Sequence, residues 1–574
     1  MYKPNKKHLQ PLLISNVNDL PEKHRQRLET SWAGVFYEEY FCRLKEDAFA
    51  VLYADQPSRP NIPVNVLIGL ETLKAGFGWS DEELYDHYVF DVQVRFALGY
   101  RDLKEGEFEL RTLYNFRRRL SQYNQTHGTN LLVAAFRDIT DQQITAFKVD
   151  TRVQRMDSTQ IASNILDASR LHLGVEAVQR LATLLSDSQK AEASEWLAPF
   201  TQGDAGQYVY RVKGKEATAE RLQQVGAALF RLLQLLKSEK EQDAVYQVVQ
   251  RFFTENFQVA TSKSVQVKDQ KELGSGSLQS LDDLEASYRQ KGNQFFKGFV
   301  ANASETCAPT NPVQLITEVQ VAPNNAEDAD LMIEAVPQLQ ERMPLETLIT
   351  DGGYGSPAAD QLLSEARVEL HQTAIRGKAP NPDKLNLSDL TFQTDEGGQP
   401  TQVICPQGQT GVVQPGTSTE HIAYFDATIC RECPLHLSQA CRARRVKQDP
   451  THFNWAFLHK ELLWAQRRQR YLALKQQKTN LRAAVEATMR SLKHAFPAGK
   501  LPVRGRFRVT CMMIAAASMT NVRRISRYLN GKNASSDALG SSQGQAADPF
   551  LSTLSSMFGC FRALWLVGLP CFSC

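Results

Sequence analysis

One stretch, LETLITDGGYGSP, constrains the fold more than any other. A strand is expected from Leu345 to Thr350, and it runs directly into Asp351, Gly352 and Gly353. Open α/β sheets gather ligands at the carboxyl ends of their strands, so an acid there, followed by flexible glycines, marks a candidate site. The same pattern fits a turn aspartate that caps the helix beginning near Ser356. The surroundings alternate as an α/β protein does. Strands are expected in NQFFKGFVANA and PVQLITEVQVAP, then a helix in NAEDADLMIEAVPQLQERM; the helix AADQLLSEARVEL and the strand LHQTAI follow the glycines.

Upstream, ITAFKVDTRVQRMDSTQIASN reads as one or two strands, with Asp157 near the end of the second. Aspartate is disfavoured inside strands, so it either starts a turn or sits at a sheet edge carrying chemistry. Before residue 140 the chain reads as helical. SWAGVFYEEYFCRL, NIPVNVLIGLETLKAGF and SDEELYDHYVFDVQVRFAL carry apolar residues at helical spacing, and Ser80 with Glu83 forms a capping-box pattern. In ELRTLYNFRRRLSQY, Arg117, Arg118 and Arg119 follow Tyr114 and Phe116. A basic helix with aromatics suits phosphate contact; a helix end with a solvated basic face has the same composition. From residue 171 a helical insertion is expected, with Leu222, Val225, Leu229, Leu232, Leu233 and Leu236 on one face, closed by the polar linker KELGSGSLQSLDD.

The chain has 574 residues, so roughly two to four domains are expected. A net charge of +3 says little about partners, but its distribution does. Between Arg442 and Arg508 Lys and Arg are frequent and the acids are Asp449, Glu461 and Glu486, a pattern that fits a solvated surface or one facing a polyanion. The opening MYKPNKKHLQPLLISN lacks the apolar core of a signal peptide, so a reducing cytosolic setting is expected, where clustered cysteines suggest metal before disulfides. Cys430 and Cys433 have the spacing of a zinc knuckle, and Cys405 and Cys441 complete four thiolates. The gaps between them are irregular, which leaves a structural Zn2+ and free or redox-active thiols both open. After Gly531 the composition becomes that of a linker. The final PFLSTLSSMFGCFRALWLVGLPCFSC is apolar but interrupted by Arg562, Gly and Pro, and is expected to be dispensable or partner-seeking rather than membrane-spanning.

The stretch from Thr479 to Phe496, TNLRAAVEATMRSLKHAF, reads as an amphipathic helix, with Leu481, Ala484, Val485, Thr488, Met489 and Leu492 at helical spacing. Arg482, Glu486 and Lys493 fall one and two turns apart along one stripe. Such an Arg–Glu pair is ordinarily a surface ion pair worth roughly 0.2–0.5 kcal/mol. Beside Asp157 and Asp351 it gains meaning. Three carboxylates from a strand, a strand end and a helix can converge on a pair of Mg2+ ions, hard cations that prefer oxygen ligands. Two such ions stabilise both the attacking and the leaving oxygen in phosphoryl transfer. Arg482 and Lys493 would then flank the place where DNA phosphates approach.

At these residues the chain resembles the DDE transposases of bacterial insertion sequences. The motifs are MDSTQIASN, LITDGGYGSP and Arg482-x3-Glu486-x6-Lys493, supported by RTLYNFRRRL, YRQKGNQFFKGFVANA and the CPQG…CRECP…C insert. Thr479 stands where a tyrosine is common in the family. The resemblance implies an α/β, RNase H-like catalytic core, a mixed five-stranded sheet with flanking helices, interrupted by insertions and preceded by an all-α domain. Its layout here is a helical DNA-binding and dimerisation domain at 1–140; core segments at 141–170, 285–377 and 453–530; a helical insertion at 171–284; a cysteine-containing insertion at 378–452; and a linker and tail at 531–574. It further implies Asp157, Asp351 and Glu486 as ligands of Mg2+ (or Mn2+), with Arg482 and Lys493 contacting the element's end. The activity implied is cleavage at the ends of an insertion sequence and joining to target DNA, by a homodimer on double-stranded DNA in the bacterial cytoplasm at the nucleoid. Two alternatives keep part of the pattern: an inactive DNA-binding derivative, and an RNase H-like nuclease without strand transfer.

Overall fold

The computed structural model describes residues 2–541, apart from 11–14, 55–59, 203–204, 213, 261–263, 378–379, 396, 418, 447–448 and 476–481. Up to Phe147 its regular elements are all helical. The capping box of Ser80 and Glu83 is present and opens the helix Asp81–Phe90. Helix α1, Leu110–His127, buries Leu113, Phe116 and Leu120. Helix α2, Leu131–Phe147, takes up Ile144 to Phe147, which the sequence had suggested as strand. It stops at Lys148, which adopts a left-handed cap with φ 52°.

A single strand follows, β1, Val153–Ile161, so Asp157 lies in mid-strand rather than near a strand end. Four strands share its sheet: β2, Gln294–Thr306; β3, Ile316–Pro323; β4, Thr347–Thr350; and β5, Glu369–Gln372. Their order is β3-β2-β1-β4-β5, and a short strand, Ser287–Lys291, adds to the start of β2. β2 is antiparallel to β1 and β3, while β4 and β5 run parallel to β1. Helix α3, Asp328–Gln340, links β3 to β4, and helix α4, Pro357–Glu365, links β4 to β5.

Side chains alternate across a strand, so β1 serves two cores. Met156 packs with Met332, Val336 and Leu348 on the α3 and α4 side. The opposite core contains Ile161, Phe299, Ala301 and Val319 with Val485, Met489 and Leu492 of a later helix. Arg137 of α2 donates to Glu318 of β3 at 2.8 Å, which ties the helical segment to the sheet.

Between β1 and β2 the expected helical insertion is present, including Arg170–Ala182, Lys215–Lys240 and Ala244–Asn256. Its leucine face, Leu222 to Leu236, is buried. After β5 comes a separate antiparallel sheet: β6, Thr391–Thr394; β7, Pro400–Ile404; β8, Thr410–Pro415; β9, Glu420–Asp426; β10, Arg444–Arg445; and β11, His452–Leu458. Its order is β10-β11-β9-β8-β7-β6. Val403, Phe425, Phe453, Trp455 and Phe457 form its core. The sheet reaches Leu458, past the boundary at residue 452 suggested by composition.

Three helices close the described chain: α7, His459–Lys475; α8, Ala483–Lys493; and α9, Arg506–Ser541; two short ones in the insert, α5 (Ala427–Glu432) and α6 (Pro434–Leu437), precede them. The chain up to Arg524 forms one compact unit and a second begins at Ile525. Helix α9 continues to Ser541, so residues 531–541 are helical where a linker was expected. The apolar tail lies outside the described residues. Among those described, no helix is long and apolar enough to cross a membrane.

Candidate active site

The register of the parallel pair places Arg155 of β1 opposite Ile349 of β4. Continuing it, Asp157 faces the position where β4 ends in Asp351. The two acids stand on adjacent strands because one is in mid-strand and the other caps its neighbour. Asp351 Oδ1 accepts from the Gly353 backbone N–H at 2.7 Å, so the glycine turn holds the carboxylate. A Cβ on Gly353 would stand 2.8 Å from Asp328 Oδ2 and 2.9 Å from Asp351 Oδ1, so any side chain there must displace a carboxylate.

Helix α8 supplies the rest. Val485, Met489 and Leu492 are buried, and with them the helix lies against β1. Ala484 is exposed instead, and Leu481 and Thr479 lie outside the described residues. Arg482 stands at the entrance of α8, and its guanidinium reaches all three acids. Nη2 is 3.4 Å from Asp157 Oδ1 and 3.9 Å from Asp351 Oδ2, and Nη1 is 3.4 Å from Glu486 Oε1. Asp157 is buried, while the Glu486 side chain is 64% exposed. Burial pushes the Asp157 carboxyl up, and Asp351 adds to this, while Arg482 opposes it.

Lys493, at the far end of α8, donates from Nζ to Thr159 Oγ1 at 2.8 Å. Thr159 is two residues beyond Asp157, on the same face of β1. Burial lowers the Lys493 ammonium pKa. Arg482 and Lys493 therefore reach β1, while Glu486 between them stays exposed.

A network that the sequence did not signal fixes this arrangement. Glu305 of β2, fully buried, pairs with Arg155 at 2.6 Å and with Arg524 at 2.7 Å, and accepts from Thr488 of α8 at 2.8 Å. A buried carboxylate needs such partners, because desolvation otherwise forces it neutral. On the other face of β1, Ser158 donates to Asp328 Oδ1 at 2.8 Å, and Asp328 is itself buried. Tyr354, buried after the glycine turn, donates to Asn302 at 2.7 Å, and burial raises its pKa far above the usual phenol range. A charged residue within a strand that is largely buried is the signal that could have revealed Glu305 and Arg155.

The donor set is three carboxylates facing one cation, a set of hard oxygen atoms that fits Mg2+ or Mn2+. In this structure the Arg482 guanidinium supplies the positive charge. Among the described residues, no group of three His, Cys, Asp or Glu side chains is itself drawn up at metal-ligating spacing.

The arginine triplet is divided. Arg117 donates to Glu71 at 2.6 Å and to Asp81 at 2.7 Å, so its charge is neutralised within the helices. Arg119 stacks over the Tyr53 ring at 4.9 Å. Arg118 lines an open cleft with Arg504 and Arg508. The four cysteines Cys405, Cys430, Cys433 and Cys441 line one cavity in the insert, and none of them is in a disulfide. The Cys430 thiol is pushed up to about 11, by burial first and then by its neighbours Cys441, Cys433 and Cys405.

Residues 404–526 match the family described as Transposase DDE domain. No curated protein and no solved structure matches the chain. The matched segment contains the four cysteines, Arg482, Glu486 and Lys493, whereas Asp157 and Asp351 precede it. The match over that segment supports a DDE transposase.

Proposed function

We propose that this protein is the DNA transposase of an insertion sequence, which cleaves DNA at the element's ends and joins the freed 3′ hydroxyls to target DNA. The carrying observation is the convergence of Asp157, Asp351 and Glu486 on one cation, each within 4 Å of the Arg482 guanidinium. The order β3-β2-β1-β4-β5, with its antiparallel second strand, supports an RNase H-like core assembled from 141–170, 285–377 and 453–530. The helical segment 1–140 is the DNA-binding and dimerisation domain in this reading.

Bound Mg2+ or Mn2+ would stabilise the attacking and leaving oxygens of the phosphodiester. Asp157, Asp351 and Glu486 would hold it. Asp157 is fixed by burial and Asp351 by its glycine turn, so the two present oxygens from a rigid sheet. Glu486 is exposed on the first turn of α8 and would have to turn inward to join them. Arg482 would contact a DNA phosphate, and the Lys493 ammonium places a second positive charge beside β1. Arg118 and Arg508 offer a phosphate-contacting wall, and such contacts make binding fall with salt.

The test uses the full chain with Mg2+ and DNA carrying the sequences that flank its gene. Wild type should nick at the element's ends and join them to a second duplex. Asp157→Asn, Asp351→Asn and Glu486→Gln should each abolish both steps and keep DNA binding. Full cleavage by any one variant would remove that acid from the site. Cleavage without joining would make the protein a nuclease, and binding without cleavage in wild type an inactive derivative.

A further inference from the structure

The cysteine-containing insert carries an arrangement that the catalytic reading does not use. Cys405 directly follows β7, in a turn where the Gly408 N–H donates to the Cys405 carbonyl at 2.8 Å and the Cys405 N–H to the Gln409 carbonyl at 3.0 Å. Gly408 has φ +81°, which a side chain would strain. The turn leaves Cys405 half-buried, on the wall of the cavity. Cys430 lies on α5 and Cys433 directly precedes α6. Cys441 lies just before β10, and its sulfur accepts from the Ala443 N–H at 3.4 Å. Three separate pieces of chain thus bring four sulfurs to one cavity.

Disulfides do not account for this set, since all four are free thiols. Cys405, Cys430 and Cys441 pack against the insert's core, yet all four thiols stay only half-buried at the cavity. Exposed Ile429 lines the cavity, and half-buried free thiols there would be open to oxidation. His436 also lines the cavity, but its ring packs edge-on against Phe453 at 4.8 Å, which accounts for its position.

We propose that Cys405, Cys430, Cys433 and Cys441 bind one structural Zn2+ as a tetrahedral four-thiolate site that locks the β7–β8 turn to the α5–α6 segment. Binding displaces the four thiol protons to solvent, and rotation about the Cα–Cβ bonds brings the sulfurs to the ion. The ion has no open coordination position, so it is structural and takes no part in strand cleavage. Its role is to fix a small antiparallel sheet from which α7 leaves. Leu462 of α7 is part of the insert's core, so the insert's order is passed to the segment that leads into α8.

The experiment measures metal in the purified full chain and needs no activity. Elemental analysis should find about one zinc per chain. Replacement by Co2+ should give the intense near-ultraviolet thiolate-to-metal band and the visible bands of a tetrahedral ion. Cys433→Ser and Cys441→Ser should each lower the zinc content roughly tenfold or more, whereas Cys42→Ser and Cys307→Ser should leave it unchanged. Should the first pair misfold, the wild-type cobalt spectrum still decides. His436→Ala should leave that spectrum as it is. Wild type without zinc and without thiolate bands overturns the proposal, as does a disulfide among the four in protein purified without reductant. A spectrum that shifts in His436→Ala overturns the four-thiolate set in favour of an imidazole ligand.

Discussion

Arg482→Met keeps the stem of the side chain and removes the charge that three carboxylates share. A full pair at about 4 Å with an effective dielectric near 20 is worth roughly 4 kcal/mol. Two of the three pairs deserve much less. Asp351 is 37% and Glu486 64% exposed on their side chains, and solvent screening reduces such pairs to about 0–1 kcal/mol. The Asp157 pair is different, because that carboxylate is 11% exposed and sits beside Asp351. Stranding a fully buried charge costs about 3–5 kcal/mol. With some solvent reaching the site, the variant should lose about 2–3 kcal/mol in urea unfolding with EDTA present. Mg2+ should reverse much of this. A cation that binds only the folded state at 100 times its Kd adds about 2.7 kcal/mol. In wild type it must first displace the guanidinium, so its stabilisation there should be smaller. The expected result is a deficit in EDTA that shrinks on adding Mg2+, with cleavage lost. A deficit below about 0.5 kcal/mol in EDTA, or equal Mg2+ stabilisation of both proteins, would refute a guanidinium standing in the metal's place.

Thr488→Val removes a hydroxyl that Glu305 and Arg524 both use, so unfolding free energy should fall by about 1.5–3 kcal/mol; no loss would show that the network does not hold α8. Gly353→Ala should press Asp328 and Asp351 apart and cut cleavage by roughly a hundredfold with DNA binding intact, and retained cleavage would separate that turn from the site. Burial alone would raise the Asp81 carboxyl, but Arg117 and Lys74 outweigh it and hold it at about 2. A folded-state value below the unfolded one stabilises the protein above about pH 4, and this contribution is lost as pH falls toward 2. Arg117→Leu should therefore flatten the acid limb of a thermal-melt series between those values, and an unchanged limb would show that the pair contributes nothing.

The parts of the fold that local pattern determines could be read from the sequence. The alternation after Gln294 resolves into strands and helices where the apolar periods place them, and the acid at the end of the Thr347–Thr350 strand sits where glycines follow it. The stripe on α8 was legible because helical spacing alone puts Arg482, Glu486 and Lys493 on one face. Ile144 to Phe147 was misread because a four-residue apolar run fits either period, and the helix stop is a left-handed lysine, not a glycine. Asp157 was placed at a strand end because nothing local reveals that a partner from α8 waits above mid-strand. The sequence left Arg117 open between phosphate contact and a solvated helix face because Glu71 and Asp81, which pair with it, are distant in sequence. The Glu305 network escaped for the same reason. Long-range partners decide what a charged residue does, and periodicity carries no record of them.

The sheet insert between β5 and α8 also governs when the site exists. During synthesis Asp157 and Asp351 leave the ribosome first, on the segments that become adjacent strands of the finished sheet. At roughly 5–20 residues per second, the stretch from Asp351 to Glu486 takes on the order of ten seconds to follow. Throughout that interval the growing chain holds two of its three acids and neither Arg482 nor Lys493. On the proposed reading, a nascent protein made beside its own gene is harmless to that DNA until its last catalytic helix has been translated and docked.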